Sequence, residues 1–201
     1  MKKLLSEFSG NRYKPRAIHN TAWEYRKAGR YDKADQLSQY VVDNQSGNED
    51  MMWVKTGIAR LNIALGNDAA AEKTIDILIA DFNDHPELPT AIFILGEEYY
   101  NEALFLRENE GLYEQAKKCY QKAVVVWERI VAELPQSEST DTAHAYYFSA
   151  VCYWHLGEYQ KPIEYCQKIV DTWPDYRYIW HVKRMIDRCS EEIEKSRNIT
   201  K

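Results

Sequence analysis

A glycine frame recurs along this chain and limits what it can fold into. Gly29-Arg30-Tyr31-Asp32-Lys33-Ala34, Gly111-Leu112-Tyr113-Glu114-Gln115-Ala116 and Gly157-Glu158-Tyr159-Gln160-Lys161-Pro162 share one pattern, and Gly66-Asn67-Asp68 with Ala71 is a weaker copy. A glycine between two apolar-periodic stretches closes a helix in a left-handed turn that a Cβ would disfavour. The tyrosine two residues on is expected to plug that turn, and the small residue at the fifth position to let the second helix approach the first.

A longer self-similarity frames these turns. Leu4-Leu5-Ser6-Glu7-Phe8, ending at Pro15-Arg16-Ala17-Ile18, superimposes on Ile79-Ala80-Asp81-Phe82, ending at Pro89-Thr90-Ala91-Ile92, at a separation of 74 residues. Met52-Trp53-Val54 opens a further apolar-periodic stretch halfway between, so the period is near 37. Upstream of each glycine the pattern predicts a helix of roughly 14 residues, and downstream a second of similar length. In Tyr159 to Trp173 the apolar residues Ile163, Cys166, Ile169, Val170 and Trp173 fall on one helical face. Pro86, Pro135 and Pro174 stop the second helices. The unit is two antiparallel helices repeated in tandem. Eight Gly and six Pro are too few for the frequent turns of a sheet fold.

This frame resembles the tetratricopeptide repeat family. The fourth unit carries Ala143, Tyr146, Ala150, Tyr153, Gly157, Tyr159, Cys166, Ile169 and Pro174 at the family's spaced small and bulky positions. The first has Ala22, Tyr25, Gly29, Tyr31, Ala34 and Val41, and the third has the typical dipeptide Leu95-Gly96 with Tyr99. Pro162 stands where a small Ala is usual, and Asn62 where an aromatic is usual. The resemblance implies an all-α, right-handed superhelical solenoid of helix-turn-helix repeats. Its expected divisions are a partial helix over 1–14, repeats over 15–46, 51–86, 88–135 and 141–174, and a terminal capping helix over 175–197.

Two departures carry information. The third unit runs 46 residues from Pro89 to Pro135. Its second helix fits the family frame both near the turn (Gly111, Tyr113, Ala116, Tyr120, Ala123) and near the end (Ala123, Trp127, Ile130, Pro135). Helices about two turns longer than usual reconcile the two, and would carry the tip, Asn101 to Lys118, ~10 Å beyond its neighbours. Leu104, Phe105, Leu106 and Leu112 exceed what a solvated tip needs. The other departure is the start, where Met1 to Gly10 matches the end of a second helix with no first helix before it. That suggests a chain cut from a longer array, or an improvised cap.

No catalytic motif stands out. HExxH, Gly-rich phosphate loops and Gly-x-Ser-x-Gly elbows are absent. Cys152-Tyr153-Trp154-His155 places a thiol and an imidazole together, and reads more simply as a packed Cys beside a turn-facing His. Cys119, Cys152, Cys166 and Cys189 form no CxxC pair. The expectation is therefore a chain with no enzymatic activity, cofactor or metal. A net charge of −5 argues against a nucleic-acid partner, and no stretch approaches the ~20 apolar residues of a membrane span. No signal peptide is visible, so a cytoplasmic location is expected.

By the resemblance, the first helices line a concave groove. Arg16, His19, Trp23 and Arg26 would face it from the first unit, and Trp53, Thr56, Arg60 and Ile63 from the second. Phe93, Glu97 and Tyr100 would follow, then His144, Tyr147, Val151 and Trp154, and finally Tyr178, His181 and Met185 from the last helix. Fifteen Tyr and six Trp suit such half-buried positions. The set is aromatic and partly basic, which fits an extended peptide with apolar anchors and some acidic groups. The family's clamp for chaperone C-terminal tails is absent, because His19, Trp23, Gly57, Thr90 and Ile94 occupy its positions. The expected function is a protein-interaction scaffold or adaptor. The alternatives are a module that self-associates through the hairpin tip or the N-terminal edge, and a regulatory or accessory domain of a longer protein.

Overall fold

The computed structural model describes residues 21–44 apart from 23 and 27, then 51–134 and 140–199. Every regular element among them is an α-helix. The chain divides into two units, Met1–Asp84 and His85–Lys201. In the first, α1 (Tyr31–Asn44) packs on α2 (Met51–Ala64), and α2 on α3 (Asp68–Phe82). Ala22, Ala34, Leu37, Met51, Val54 and Leu61 form its core. The second unit runs α4 (Leu88–Glu108), α5 (Tyr113–Glu133), α6 (Thr140–Leu156), α7 (Gln160–Thr172) and α8 (Ile179–Ile199). Each helix packs on the next, and α4 also touches α6. This places the first helices of successive hairpins side by side.

The glycine frame is the hinge of each hairpin. Among the described residues, Gly29, Gly66, Gly111 and Gly157 have positive φ, at 65 to 81°. At Gly29 the N–H of Arg30 donates to the Tyr25 carbonyl and that of Gly29 to the Arg26 carbonyl. Asn67 to Asn62 with Gly66 to Ile63, and Glu158 to Tyr153 with Gly157 to Trp154, repeat the arrangement. These paired bonds satisfy carbonyls that a helix end leaves open. The turn at Gly111 is one residue looser, with the Leu112 N–H reaching Leu106. Five residues past each glycine, Ala34, Ala71, Ala116 and Pro162 are all buried. Pro162 fits because it lies in the first turn of α7, where a missing N–H leaves no intrahelical bond unmade.

The tyrosines of the frame do not plug these turns as expected. Tyr31 is 37% and Tyr113 63% exposed, and Tyr159 alone of the three is half-buried, tilted against Trp154.

Leu95-Gly96 has a packing reason. A Cβ on Gly96 would fall inside the indole of Trp127, which is fully buried and donates its Nε1–H to the Phe93 carbonyl at 3.0 Å. Glycine therefore admits the largest buried ring of the unit against the backbone of α4.

The third hairpin is long, with 21 residues in each helix. Thr90 donates to Asp141 at 2.6 Å near the bases of α4 and α6, and Arg107 meets His155 near their tips. α4 has four residues more than the 17 of α6, yet Arg107 and His155 each stand one residue before the end of their helix, so the two tips lie close together rather than ~10 Å apart. At the tip, Phe105 and Leu112 are exposed, whereas Leu106 is buried and Leu104 half-buried. The last helix also differs from expectation: α8 starts at Ile179, not Asp175. Residues 174–178 turn, because Pro174 interrupts the chain and Tyr176 folds inward at 6% exposure into the core of Ala143, Ala150, Cys166 and Val182. The N-terminal half-repeat over 1–14 lies outside the described residues.

Candidate partner-binding face

The second unit sorts its aromatic residues into a seam and a face. Phe93, Trp127 and Phe148 meet with centroids 5.6 to 5.7 Å apart, from α4, α5 and α6. Phe93 is only 9% exposed, and its ring meets that of His144, itself 7% exposed. Two residues expected in the groove are thus packed between helices. Tyr100, half-buried, joins the same seam through Tyr120, Trp127 and Phe148, and burial pushes its hydroxyl up to about 12. Burial first, and then the Arg177 guanidinium, hold the His144 imidazole below its ordinary value.

The face lies between α6 and the start of α8. Tyr147 stacks on Tyr178 at 5.7 Å and 21°, and the Arg177 guanidinium lies 4.5 Å from the Tyr178 ring centre. About two turns further along α6, Trp154 carries the Arg188 guanidinium at 4.7 Å. Trp180, 61% exposed, carries Arg184 at 5.2 Å. A cleft of about 190 Å³ opens here, lined by Tyr147, His181, Arg184, Met185 and Arg188. Four expected residues, Tyr147, Trp154, Tyr178 and His181, therefore gather around one place, together with Met185. Val151 is half-buried on the same helix.

The first unit is described by itself. Arg26, Trp53, Arg60 and Ile63 are half-buried, and Thr56 is buried with its hydroxyl bonded to the Met52 carbonyl. Arg16, His19 and Trp23 lie outside the described residues. Glu97, on α4 of the second unit, is half-buried.

Family resemblance and residue type alone do not single out Arg184 and Arg188. Their signal is the spacing Trp180, Arg184, Arg188, four residues apart along one helical face, which lets each side chain lie on its neighbours. By contrast the thiols offer little reactivity. Burial drives Cys152 far above its ordinary value, Cys166 up to about 12 and Cys189 up to about 11, so the nucleophilic thiolate is scarce at neutral pH. His155 is drawn down to about 4 by burial and then by the adjacent Arg107 guanidinium, and its ring stacks on Tyr120 at 4.8 Å. Among the described residues no three His, Cys, Asp or Glu come together as a metal site. No described helix is long and apolar enough to cross a membrane.

The hairpins and their glycine hinges define a helical-repeat protein, and in the second unit the first helices α4 and α6 pack side by side. The tetratricopeptide repeat model matches residues 97–124 and 143–175. The first match covers the turn-proximal frame of the long hairpin and the second the whole fourth repeat. Two similar solved structures are the TPR-like repeats attributed to a kinesin light chain of Podosopora anserina and a point variant of them. The first is 15% identical with a TM-score of 0.53, covering 92% of this chain and 91% of that one. The variant is 16% identical with a TM-score of 0.52, covering 91% and 88%. A third, "MamA AMB-1", is 16% identical with a TM-score of 0.43, covering 92% and 85%. No curated protein matches the sequence. This chain is a tetratricopeptide-like repeat protein.

Proposed function

We propose that the chain is a protein-interaction scaffold that holds an extended peptide along the face of α6 and α8. The observation that carries this reading is a cleft bordered by Tyr147 and His181, with Tyr178 stacked on Tyr147 and Trp154 against the lining Arg188, while neighbouring Phe93 and His144 are sealed in the seam. Half-buried aromatic rings contribute large contact area at small ordering cost, which is why they dominate peptide-binding surfaces. A cleft of about 190 Å³ is below the roughly 300–1,000 Å³ of ordinary small-molecule sites. It has room for one or two side chains of a ligand that continues beyond it. Arg26, Trp53 and Arg60, with Arg16, His19 and Trp23, extend the proposal to the first unit's own face. The proposed setting is cytoplasmic, with a protein rather than nucleic-acid partner, and the scaffold acts without catalysis. Panning a library of blocked random octapeptides against the intact chain tests this. A selected family whose binding is lost in Tyr147→Ala/Trp154→Ala supports it, and no selection, or selection indifferent to that variant, contradicts it.

A second reading has its own observation. Phe105, Leu112 and Tyr113 are 49%, 37% and 63% exposed at the long hairpin's tip, so this tip could join two copies. Sedimentation at high concentration decides it: a dimer that dissociates in Phe105→Asp supports self-association, and a strict monomer excludes it.

A further inference from the structure

We infer that Arg184 and Arg188 form a preorganised seat for a carboxylate side chain of the bound peptide, an assignment that rests on the peptide-binding reading. The two guanidiniums stand one helical turn apart on α8 and line the same cleft. Each lies against an indole, Arg184 on Trp180 at 5.2 Å and Arg188 on Trp154 at 4.7 Å. A stacked guanidinium keeps its in-plane N–H donors free at the edge, in the fork geometry that carboxylates accept bidentately.

Neither cation has an acidic partner among the described residues. Glu192, four residues past Arg188, is bonded instead to Lys195 at 2.7 Å. Asp187, three residues past Arg184, makes no ion pair with it. The chain is acidic overall, with 31 Asp and Glu against 26 Lys and Arg, so an unneutralised arginine pair is not imposed by a shortage of carboxylates. Elsewhere in the same unit the exposed cations Lys117 and Lys195 do find carboxylates.

The cleft's remaining lining says what stands beside the acid. Tyr147 and Met185 offer an apolar wall next to the arginine pair. Met adapts its shape to varied side chains, and Tyr presents an apolar ring with a polar tip. The occupant is therefore an Asp or Glu adjoining an apolar residue in an extended segment. His181 borders the cleft as a further donor.

The test uses the intact chain and a positional-scanning library of blocked octapeptides, with Glu or Gln fixed at each position in turn. The inference expects Glu over Gln at one position beside an apolar residue, by roughly ten-fold or more, as for a hydrogen-bonded charge. Arg184→Gln/Arg188→Gln should erase that preference while leaving the apolar selection in place, and Arg188→Lys should retain part of it. Both arginines are exposed, so the variants should melt with the parent, and a thermal scan checks that. Peptides selected without acidic preference, or with a preference the double variant keeps, overturn the seat and leave the peptide-binding reading standing. If the parent selects no peptide at all, the underlying reading fails and the seat falls with it.

Discussion

Arginine lies against aromatic rings in two regions of the second unit, and the regions differ in what answers the charge. At the long hairpin, Arg107 meets the His155 ring, which stacks on Tyr120, and it bonds Glu108 at 2.7 Å. Its surroundings are supplied from within, and it ties α4 to α6. On the α6–α8 face, Arg184 and Arg188 stack on Trp180 and Trp154 with no carboxylate among the described residues paired to either. Arg107 meets its ring through hydrogen-bond contact with the imidazole nitrogens, and Arg184 and Arg188 lie over the faces of theirs. What separates a packing device from a binding surface is whether the fold itself completes the charge.

The sharpest way to break this division is to attack the seam. Trp127→Ala should lower unfolding free energy by about 4 kcal/mol, the usual loss for a fully buried aromatic ring, as urea denaturation would show. Gly96→Ala forces a Cβ into the same indole and should cost about 2 kcal/mol. If Gly96→Ala is neutral, the close approach of Trp127 to α4 is not what the glycine is for. Gly157→Ala, at a φ of 81°, should cost about 1 kcal/mol through backbone strain alone.

Histidine gives a smaller effect with a definite sign. His155 and His144 have folded values below the ordinary one, so the unfolded chain takes up protons first as pH falls. Their contribution to stability is complete above about pH 6.5. It is lost as pH falls from there toward about 4 for His155. The melting temperature should decline between neutral pH and pH 5, and His155→Phe should flatten that decline. The smallest effect is expected on the face: Trp180→Ala and Arg184→Gln/Arg188→Gln should each change stability by no more than about 0.5 kcal/mol. A large loss there would make the face a second seam.

The hinges are legible in the sequence because a left-handed turn accepts few residues but glycine, and each leaves a one-residue mark. The buried alanines five positions on belong to the same frame. The role of the tyrosines is less legible, since a ring beside a turn reads alike whether it fills a cavity or lies in solvent. The start of α8 is missed because Asp175 to Tyr178 carries a helical apolar pattern, and the inward fold of Tyr176 is a tertiary effect. How far the long hairpin reaches past its neighbour depends on where α6 ends, beside Arg107, which the length of α4 does not disclose. Phe93 and Tyr147 both occupy first-helix positions and each stacks on a ring, but Phe93 meets the fully buried Trp127 whereas Tyr147 meets the half-buried Tyr178. Arg184 and Arg188 share a visible spacing with Trp180, but the spacing does not disclose that Glu192, one turn past Arg188, is taken by Lys195.

Hydrogen exchange on the intact chain, with and without a peptide selected by panning, tests the division most directly. The account predicts new protection in residues 144–155 and 178–188, with the hairpin tip at 101–118 unchanged. Protection confined to 101–118, with the α6–α8 face exchanging as before, would contradict it and make the exposed tip the docking surface.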